Sequence, residues 1–449
     1  MMHRRFRMFL IVFLSMATWS SLAALGEISF TGGTIFSTGL RSSTIDSGDL
    51  DGDGDVDLAV ANIHSHSVTI AYNDGAGNFT EIVDIPLDEG RKFPIALTIG
   101  DLDSYGNLDI ALAFVQNLDR TELGTPAQSG IIFFYAEDDG SYTQIYSPVN
   151  GIPSCLKIED LDGDGDSDML VGNNGEIDVD LVTGSINVVE AGFYYFENKG
   201  RGLFSSGNPR ITDGSLVDFL VFDYNQDGVV DIVGVNQGTT GFDSNFNYVY
   251  LDMNISIFQG SESGLSEYEP IWIEYIPWAL DKGDVNNDGY EDLITSNVGD
   301  IDNLASFMGT NGSIVLFENS GSMFNALASI PTPGSAFSVL ADDYDLDGDV
   351  DIIATIQEIT DIGGVGRLDA TLRIYENDGQ ANFTEAASYY IAEEPRYAVK
   401  DDFDNDGDMD IAVLCTILDS ASQSNALNGE VHIFYNDAIE TNVSSWEIY

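Results

Sequence analysis

Asp49-Leu-Asp51-Gly-Asp53-Gly54-Asp-Val-Asp57 is the stretch that decides the fold. Its carboxylates stand at positions 1, 3, 5 and 9 of a nine-residue window, with glycine at position 6. Oxygens at alternate positions of a tight turn converge on one point, which is what a hard divalent cation requires, and glycine permits the sharp bend. Position 7 would add its backbone carbonyl. The run that follows, Leu58-Ala-Val-Ala, is of β type rather than an amphipathic helix, so the turn opens into a strand.

The window recurs along the chain, and such internal repetition determines the architecture. Further copies place Asp160, Asp162, Asp164 and Asp168; Asp223, Asn225, Asp227 and Asp231; and Asp284, Asn286, Asp288 and Asp292 at the ligand positions. Two more supply Asp343, Asp345, Asp347 and Asp351, then Asp402, Asp404, Asp406 and Asp410. A degenerate copy keeps Asp101, Asp103 and Asp109 but has Tyr105 at position 5, so a weak or empty site is expected there. The asparagines at position 3 remain oxygen donors with less mutual repulsion. Seven copies in register read as structural calcium sites, about six or seven in number, because magnesium prefers to keep its waters.

Around each window the context repeats. An apolar stretch precedes it, often opened by proline as in Pro94, Pro153 and Pro395, and a compact β run follows. A third run, such as Val68-Thr-Ile-Ala-Tyr, ends in a turn such as Asn73-Asp-Gly-Ala-Gly or Asn377-Asp-Gly-Gln-Ala, and a fourth completes the unit. Four strands in about 59 residues is the size of a propeller blade. The expected fold is therefore all-β, a seven-bladed β-propeller with four-stranded antiparallel blades, in a single domain over residues 25–449. A ring must close without an open edge. Either Glu27–Phe36 or the C-terminal tail could provide the missing outer strand of the last blade, and the N-terminal segment is favoured.

The first residues set the expected compartment. Arg4, Arg5 and Arg7 precede an apolar run from Met8 to Met16, with small residues near Ala23 and Ala24. This order reads as a signal peptide over residues 1–24 and predicts a secreted, extracellular or cell-surface protein, with the periplasm an alternative. No later stretch is apolar enough to insert into a membrane. Cys155 and Cys415 lie about four repeats apart and read as small buried residues, not a disulfide.

The chain carries 75 acidic against 16 basic residues, a net charge of −59. Nucleic acid is excluded as a partner, since a phosphate backbone needs a basic footprint. A hydrophobic content of 43% argues for a packed core over disorder. Clustered carboxylates repel until a cation binds, so metal binding becomes folding energy.

The first unit, Asp49 to Asn62 followed by Val68 to Phe79, resembles the FG-GAP/VCBS repeats of bacterial secreted proteins and is similar to the calcium-binding blades of integrin α-subunit propellers. The resemblance implies calcium turns between the first and second strands of each blade, all on one face. Tyr105 departs from it, as does the scarcity of the Phe-Gly and Gly-Ala-Pro signatures.

Function is then expected on the opposite face, in the connections between second and third strands. These are long except in the first repeat, and carry Glu122, Glu176, Asp178, Asp180, Asp300, Asp302, Glu358 and Asp361 with Phe242, Phe246, Tyr248 and Phe307. Such a surface suits an extracellular glycan or protein ligand, bound by a monomeric adhesion module without catalytic residues. The competing reading is a polysaccharide lyase or hydrolase using loop acids or the pair His64 and His66. Sequons begin at Asn78, Asn254, Asn311, Asn382 and Asn442.

Overall fold

The computed structural model describes residues 28–438, apart from 88–92, 117–127, 138, 180–185, 206, 213, 243–247, 262–263, 304–307, 311, 362–365, 392–393 and 419–426. The signal-peptide reading and the C-terminal tail from Val443 lie outside the described residues. Within them the chain is all-β and forms seven antiparallel blades, as the repeat predicts.

Blade 1 runs from its inner strand Ser42–Gly48 through Asp57–Asn62 and Ser67–Tyr72 to its outer strand Glu81–Pro86. Blade 2 comprises Phe93–Gly100, Asp109–Gln116, Gln128–Ala136 and Tyr142–Val149. Blade 3 comprises Pro153–Glu159, Asp168–Asn173, Gly192–Phe196 and Asn208–Ile211. In blade 4, Leu216–Phe222, Asp231–Asn236 and Asn254–Gln259 are followed by a broken outer edge, Ser266–Glu267 and Ile271–Trp272. Pro270 stands between these two pieces, where its missing N–H interrupts the ladder.

Blade 5 is built from Pro277–Gly283, Asp292–Asn297, Ser313–Asn319 and Phe324–Pro331. Blade 6 follows with Ser335–Asp342, Asp351–Asp361, Gly366–Asn377 and Phe383–Tyr390. Blade 7 has Glu394–Asp401, Asp410–Leu418 and Leu427–Asn436, and takes its outer strand, Phe30–Leu40, from the N-terminal side of the ring. Phe30 pairs with Asn436 and Leu40 with Asn428. The favoured closure is the one observed.

Second strands are the most buried elements, with every residue of Asp57–Asn62 inside. Their runs are apolar on both faces because each blade packs against a neighbour on either side. The core is accordingly a series of inter-blade layers. One joins Leu58 and Val60 of blade 1 to Ala412, Leu414, Val431 and Ile433 of blade 7.

The connections expected as long loops contain further strands. Glu176–Val179 pairs with Ile186–Val189, Thr239–Phe242 with Tyr248–Leu251, and Asp300–Asn303 with Met308–Thr310. In blade 6 the second and third strands themselves continue until Asp361 meets Gly366. Extending the ladder satisfies backbone groups that a loose loop would leave to water. The connection Asn62–Ser67 of blade 1 is short, as read.

Five blades share a tie that crosses to the preceding blade. The residue closing the third strand is asparagine, and its side-chain amide donates to the carbonyl of position 2 in the neighbouring acidic turn. Asn73 reaches Phe403 at 2.7 Å, Asn198 reaches Leu102 at 2.9 Å and Asn319 reaches Tyr224 at 2.8 Å. Asn377 reaches Val285 at 2.9 Å and Asn436 reaches Tyr344 at 2.8 Å. Ala136 and Gly260 stand at this place in blades 2 and 4.

Removing one latch strands a buried carbonyl and loses a second bond within the blade, from Asn319 to Glu291 or from Asn377 to Val350. Asn319→Ala and Asn377→Ala should each cost about 1–3 kcal/mol, read as a lowered urea midpoint.

Candidate metal centres

Each acidic turn joins the inner strand of a blade to the second, so the common strand order places all seven at one end of the ring. Within the turn, positions 4 and 6 are both left-handed. Position 6 is always glycine, with φ of 97° at Gly54, 92° at Gly106, 99° at Gly348 and 101° at Gly407. Position 4 bends likewise even without glycine, at Gln226, Asn287, Leu346 and Asn405. Two such bends turn the side chains of positions 1, 3 and 5 inward.

The position-1 carboxylate organises the turn by accepting backbone N–H groups. Asp49 accepts from Gly52 at 2.8 Å and Gly54 at 3.0 Å; Asp343 accepts from Asp347 at 3.0 Å and Gly348 at 2.9 Å. Three possible ligand oxygens lie within 4.8 Å of one another in each of five turns: Asp49, Asp51 and Asp53; Asp101, Asp103 and Asp109; Asp160, Asp162 and Asp168; Asp343, Asp345 and Asp347; and Asp402, Asp404 and Asp410. This donor set fits a hard divalent cation.

The remaining turns, Asp223 to Asp231 and Asp284 to Asp292, have the same hydrogen-bonded shape. Asn225 and Asn286 accept from Asp227 and Asp288, each at 2.9 Å. The degenerate turn keeps its form as well, with Gly106 donating to Asp101 at 3.0 Å. Tyr105 is 71% exposed, so it leaves position 5 without a carboxylate but does not distort the bend.

Position 9 differs from the others. Asp57, Asp109, Asp168, Asp231, Asp292, Asp351 and Asp410 are all buried at the start of a second strand. Asp57 accepts from Leu50 at 2.9 Å with one oxygen and from Asn73 at 2.8 Å with the other. Asp410 does the same with Phe403 and Asn436. One carboxylate thus ties the turn to the end of the third strand in every blade.

Burial pushes these carboxylates up to about 6 at Asp109, Asp168, Asp231 and Asp292, about 7 at Asp57 and Asp351, and about 8 at Asp410. Their hydrogen bonds act in the opposite direction but do not cancel it. Neighbouring turns also touch: Asn287 donates to Asp349 at 2.7 Å and Ser104 to Asp166 at 2.7 Å.

The inner strands surround an axial cavity of about 270 Å³. Asp46, Asp218 and Asp281 each accept an N–H from the next blade, from Ile99 at 2.9 Å, Leu280 at 3.0 Å and Ala341 at 2.8 Å. Burial raises all three. Lys157 extends among them; burial alone would lower its pKa, and the carboxylates of Asp218, Asp46 and Asp281 more than offset that. Lys400 lies 3.0 Å from Asp342 and 3.8 Å from Asp281. These groups escaped the sequence reading, since a lone lysine in an apolar strand carries no motif.

On the opposite end, Glu122, Asp180, Phe246 and Phe307 lie outside the described residues. Glu176, Asp178, Phe242, Tyr248, Asp300, Asp302 and Asp361 fall on the hairpin strands. Glu358 meets Arg373 at 3.2 Å. His64 and His66 sit in the short turn of blade 1, where His66 packs edge-on against Phe93, and neither joins a group of three possible metal ligands among the described residues. His432 lies 3.5 Å from Glu430. Cys155 and Cys415 are buried free thiols. Asn254 is fully buried and bonded to Asn236, which removes it as a glycosylation acceptor.

The ring and its turns define a class, a seven-bladed β-propeller with an acidic turn between the first and second strands of every blade. Residues 49–112 match the family model for the FG-GAP-like repeat. Among solved structures, the crystal structure of BBS1N in complex with ARL6DN, soaked with lead, is similar at 12% identity and a TM-score of 0.51, covering 89% of this chain and 96% of that one. At that identity the likeness is one of fold. No curated protein matches the chain.

Two outcomes follow from the turns. Gly54→Ala and Gly348→Ala meet no neighbouring atoms but force alanine into the left-handed region, and each should cost about 1–2 kcal/mol in chemical denaturation. With divalent ions chelated, the position-9 aspartates hold protons in the folded state, at about 6 to 8, that the unfolded chain releases near 3.9. The chelated protein should therefore melt at higher temperature as pH falls from about 8 towards 5, a rise that scanning calorimetry would detect.

Proposed function

We infer that the protein is an extracellular binding or adhesion module, braced by calcium, for a glycan or protein ligand. The observation that carries this is the repetition of one carboxylate geometry on one end of a rigid ring, with three ligand oxygens within 4.8 Å in five turns. Charge of that density is tolerable on a folded ring when cations neutralise it, and calcium is the abundant hard cation outside cells. The signal-peptide reading of residues 1–24 supports export. The opposite end, built from hairpins of variable length, is left to vary as binding surfaces do.

Calcium here is structural. The carboxylates of Asp49, Asp160, Asp343 and Asp402 with their partners hold it, and it supplies the charge that lets the turns stay closed. The asparagine-bearing turns and the turn at Asp101 hold it more weakly, having fewer carboxylates.

Retention of the purified protein on an array of glycans and extracellular proteins, with calcium and with chelator, tests the reading. Calcium-dependent retention on a restricted set of ligands is expected, together with a Tm raised by calcium. Cleavage of soluble polysaccharide, or a Tm indifferent to calcium, would overturn it.

A further inference from the structure

The buried position-9 carboxylates are joined to one another across the blades. Asp57 of blade 1 accepts the backbone N–H of Asn73 at 2.8 Å, and the side chain of Asn73 donates to the Phe403 carbonyl in the turn of blade 7. Phe403 in turn donates its N–H to Asp410 at 3.0 Å. Asp410 accepts from Asn436 at 2.8 Å, the Asn436 side chain reaches the Tyr344 carbonyl, and Tyr344 donates to Asp351 at 3.2 Å. The same steps lead through Asn377 and Val285 to Asp292, then through Asn319 and Tyr224 to Asp231. Asp57, Asp410, Asp351, Asp292 and Asp231 thus stand on one hydrogen-bonded path.

That path stops at Asp231, which accepts the N–H of Gly260, a residue with no side chain to extend towards blade 3. A shorter path runs from Asp168 through Asn198 and Leu102 to Asp109, and stops at Ala136. The breaks fall at the seams between blades 1 and 2 and between blades 3 and 4.

A second kind of tie divides the ring at the same two seams. The residue at position 4 of a turn reaches the turn of the next blade: Asn405 donates to Asp55 at 2.8 Å, Ser104 to Asp166 at 2.7 Å, Gln226 to the Gly289 carbonyl at 2.7 Å and Asn287 to Asp349 at 2.7 Å. At the two seams without a latch, position 4 is glycine, Gly52 and Gly163. In blade 6 it is Leu346, so of the two kinds of tie the seam between blades 6 and 7 has only the latch, Asn436.

We propose that the latch asparagines are positioning residues for the cation-binding carboxylates and join the turns into two cooperative groups. One holds the turns of blades 4, 5, 6, 7 and 1, the other those of blades 2 and 3. Closure of one turn on a cation fixes its position-2 residue. The latch bonded to that residue then holds the position-9 carboxylate of the next blade in place, so the neighbouring turn is ordered before its own cation arrives. Ordering already completed for one ligand raises affinity for the next. The turns of Asn225 and Asn286, with fewer carboxylates, gain most, because they share a path with three turns of four carboxylates each. The proposal rests on the reading of the turns as calcium sites and adds how those sites depend on one another.

The test is hydrogen–deuterium exchange, read by mass spectrometry across a calcium titration of the chelated protein, which follows each turn through its own peptide. The turns of blades 4, 5, 6, 7 and 1 should gain protection at one shared calcium midpoint, and the turn of Asp160 at another. Asn436→Ala should separate the turns of blades 7 and 1 from those of blades 4, 5 and 6 by about fivefold or more in midpoint. A latch with a structural role alone would move all midpoints together. Ala136→Asn supplies the missing amide and should bring the turn of Asp160 to the midpoint of the larger group, a gain that unfolding does not imitate. Midpoints that coincide in all turns of the parent, or that neither variant regroups, overturn the proposal and leave the calcium sites standing. If no turn gains protection with calcium, the wider reading falls as well.

Discussion

The structure depends on a carboxylate buried at the corner of every blade. The ninth residue of each acidic turn begins the second strand and has no access to water, yet it must remain where two chains of backbone donors end. With one oxygen it closes the turn on the N–H of position 2, and with the other it holds the end of the third strand. A desolvated carboxylate is expensive unless positive charge or hydrogen bonds surround it. The donors supply part of that compensation. A cation bound by positions 1, 3 and 5 would supply the rest, which links metal site and blade core into one unit.

That linkage explains which parts were legible in the sequence. Carboxylates at alternate positions with an obligatory glycine have few uses, so the turns, the blade count and the ring could be read from spacing alone. Closure by the N-terminal strand was legible for a related reason, since a ring with one blade short of an edge must borrow one. The hairpins beyond the second strands were not, because their residues alternate irregularly and resemble loop. Neither was the latch. Asn-Asp-Gly is a turn signal, and nothing local reveals that the side chain of Asn377 reaches a carbonyl 92 residues earlier in another blade.

Repetition makes departures informative. A ring of equal blades distributes its inter-blade energy evenly, so a seam that lacks the latch is weaker unless something fills it. Blade 2 has Ala136 in place of the asparagine, and its Tyr142 meets Phe134 edge-on with ring centroids 6.4 Å apart. Blade 4 has Gly260 at that place, and its outer strand is broken as well.

The axial charges point to the same economy of design seen from the centre. Asp46, Asp218 and Asp281 are spent on backbone donors of the following blade, and their charge converges on Lys157. In a chain with only 16 basic residues, a lysine facing three half-buried carboxylates across the axial cavity offsets their mutual repulsion. At the rim of the ring there are too few lysines to repeat that solution seven times. A cation drawn from solvent would serve there instead, held by the carboxylates of each acidic turn.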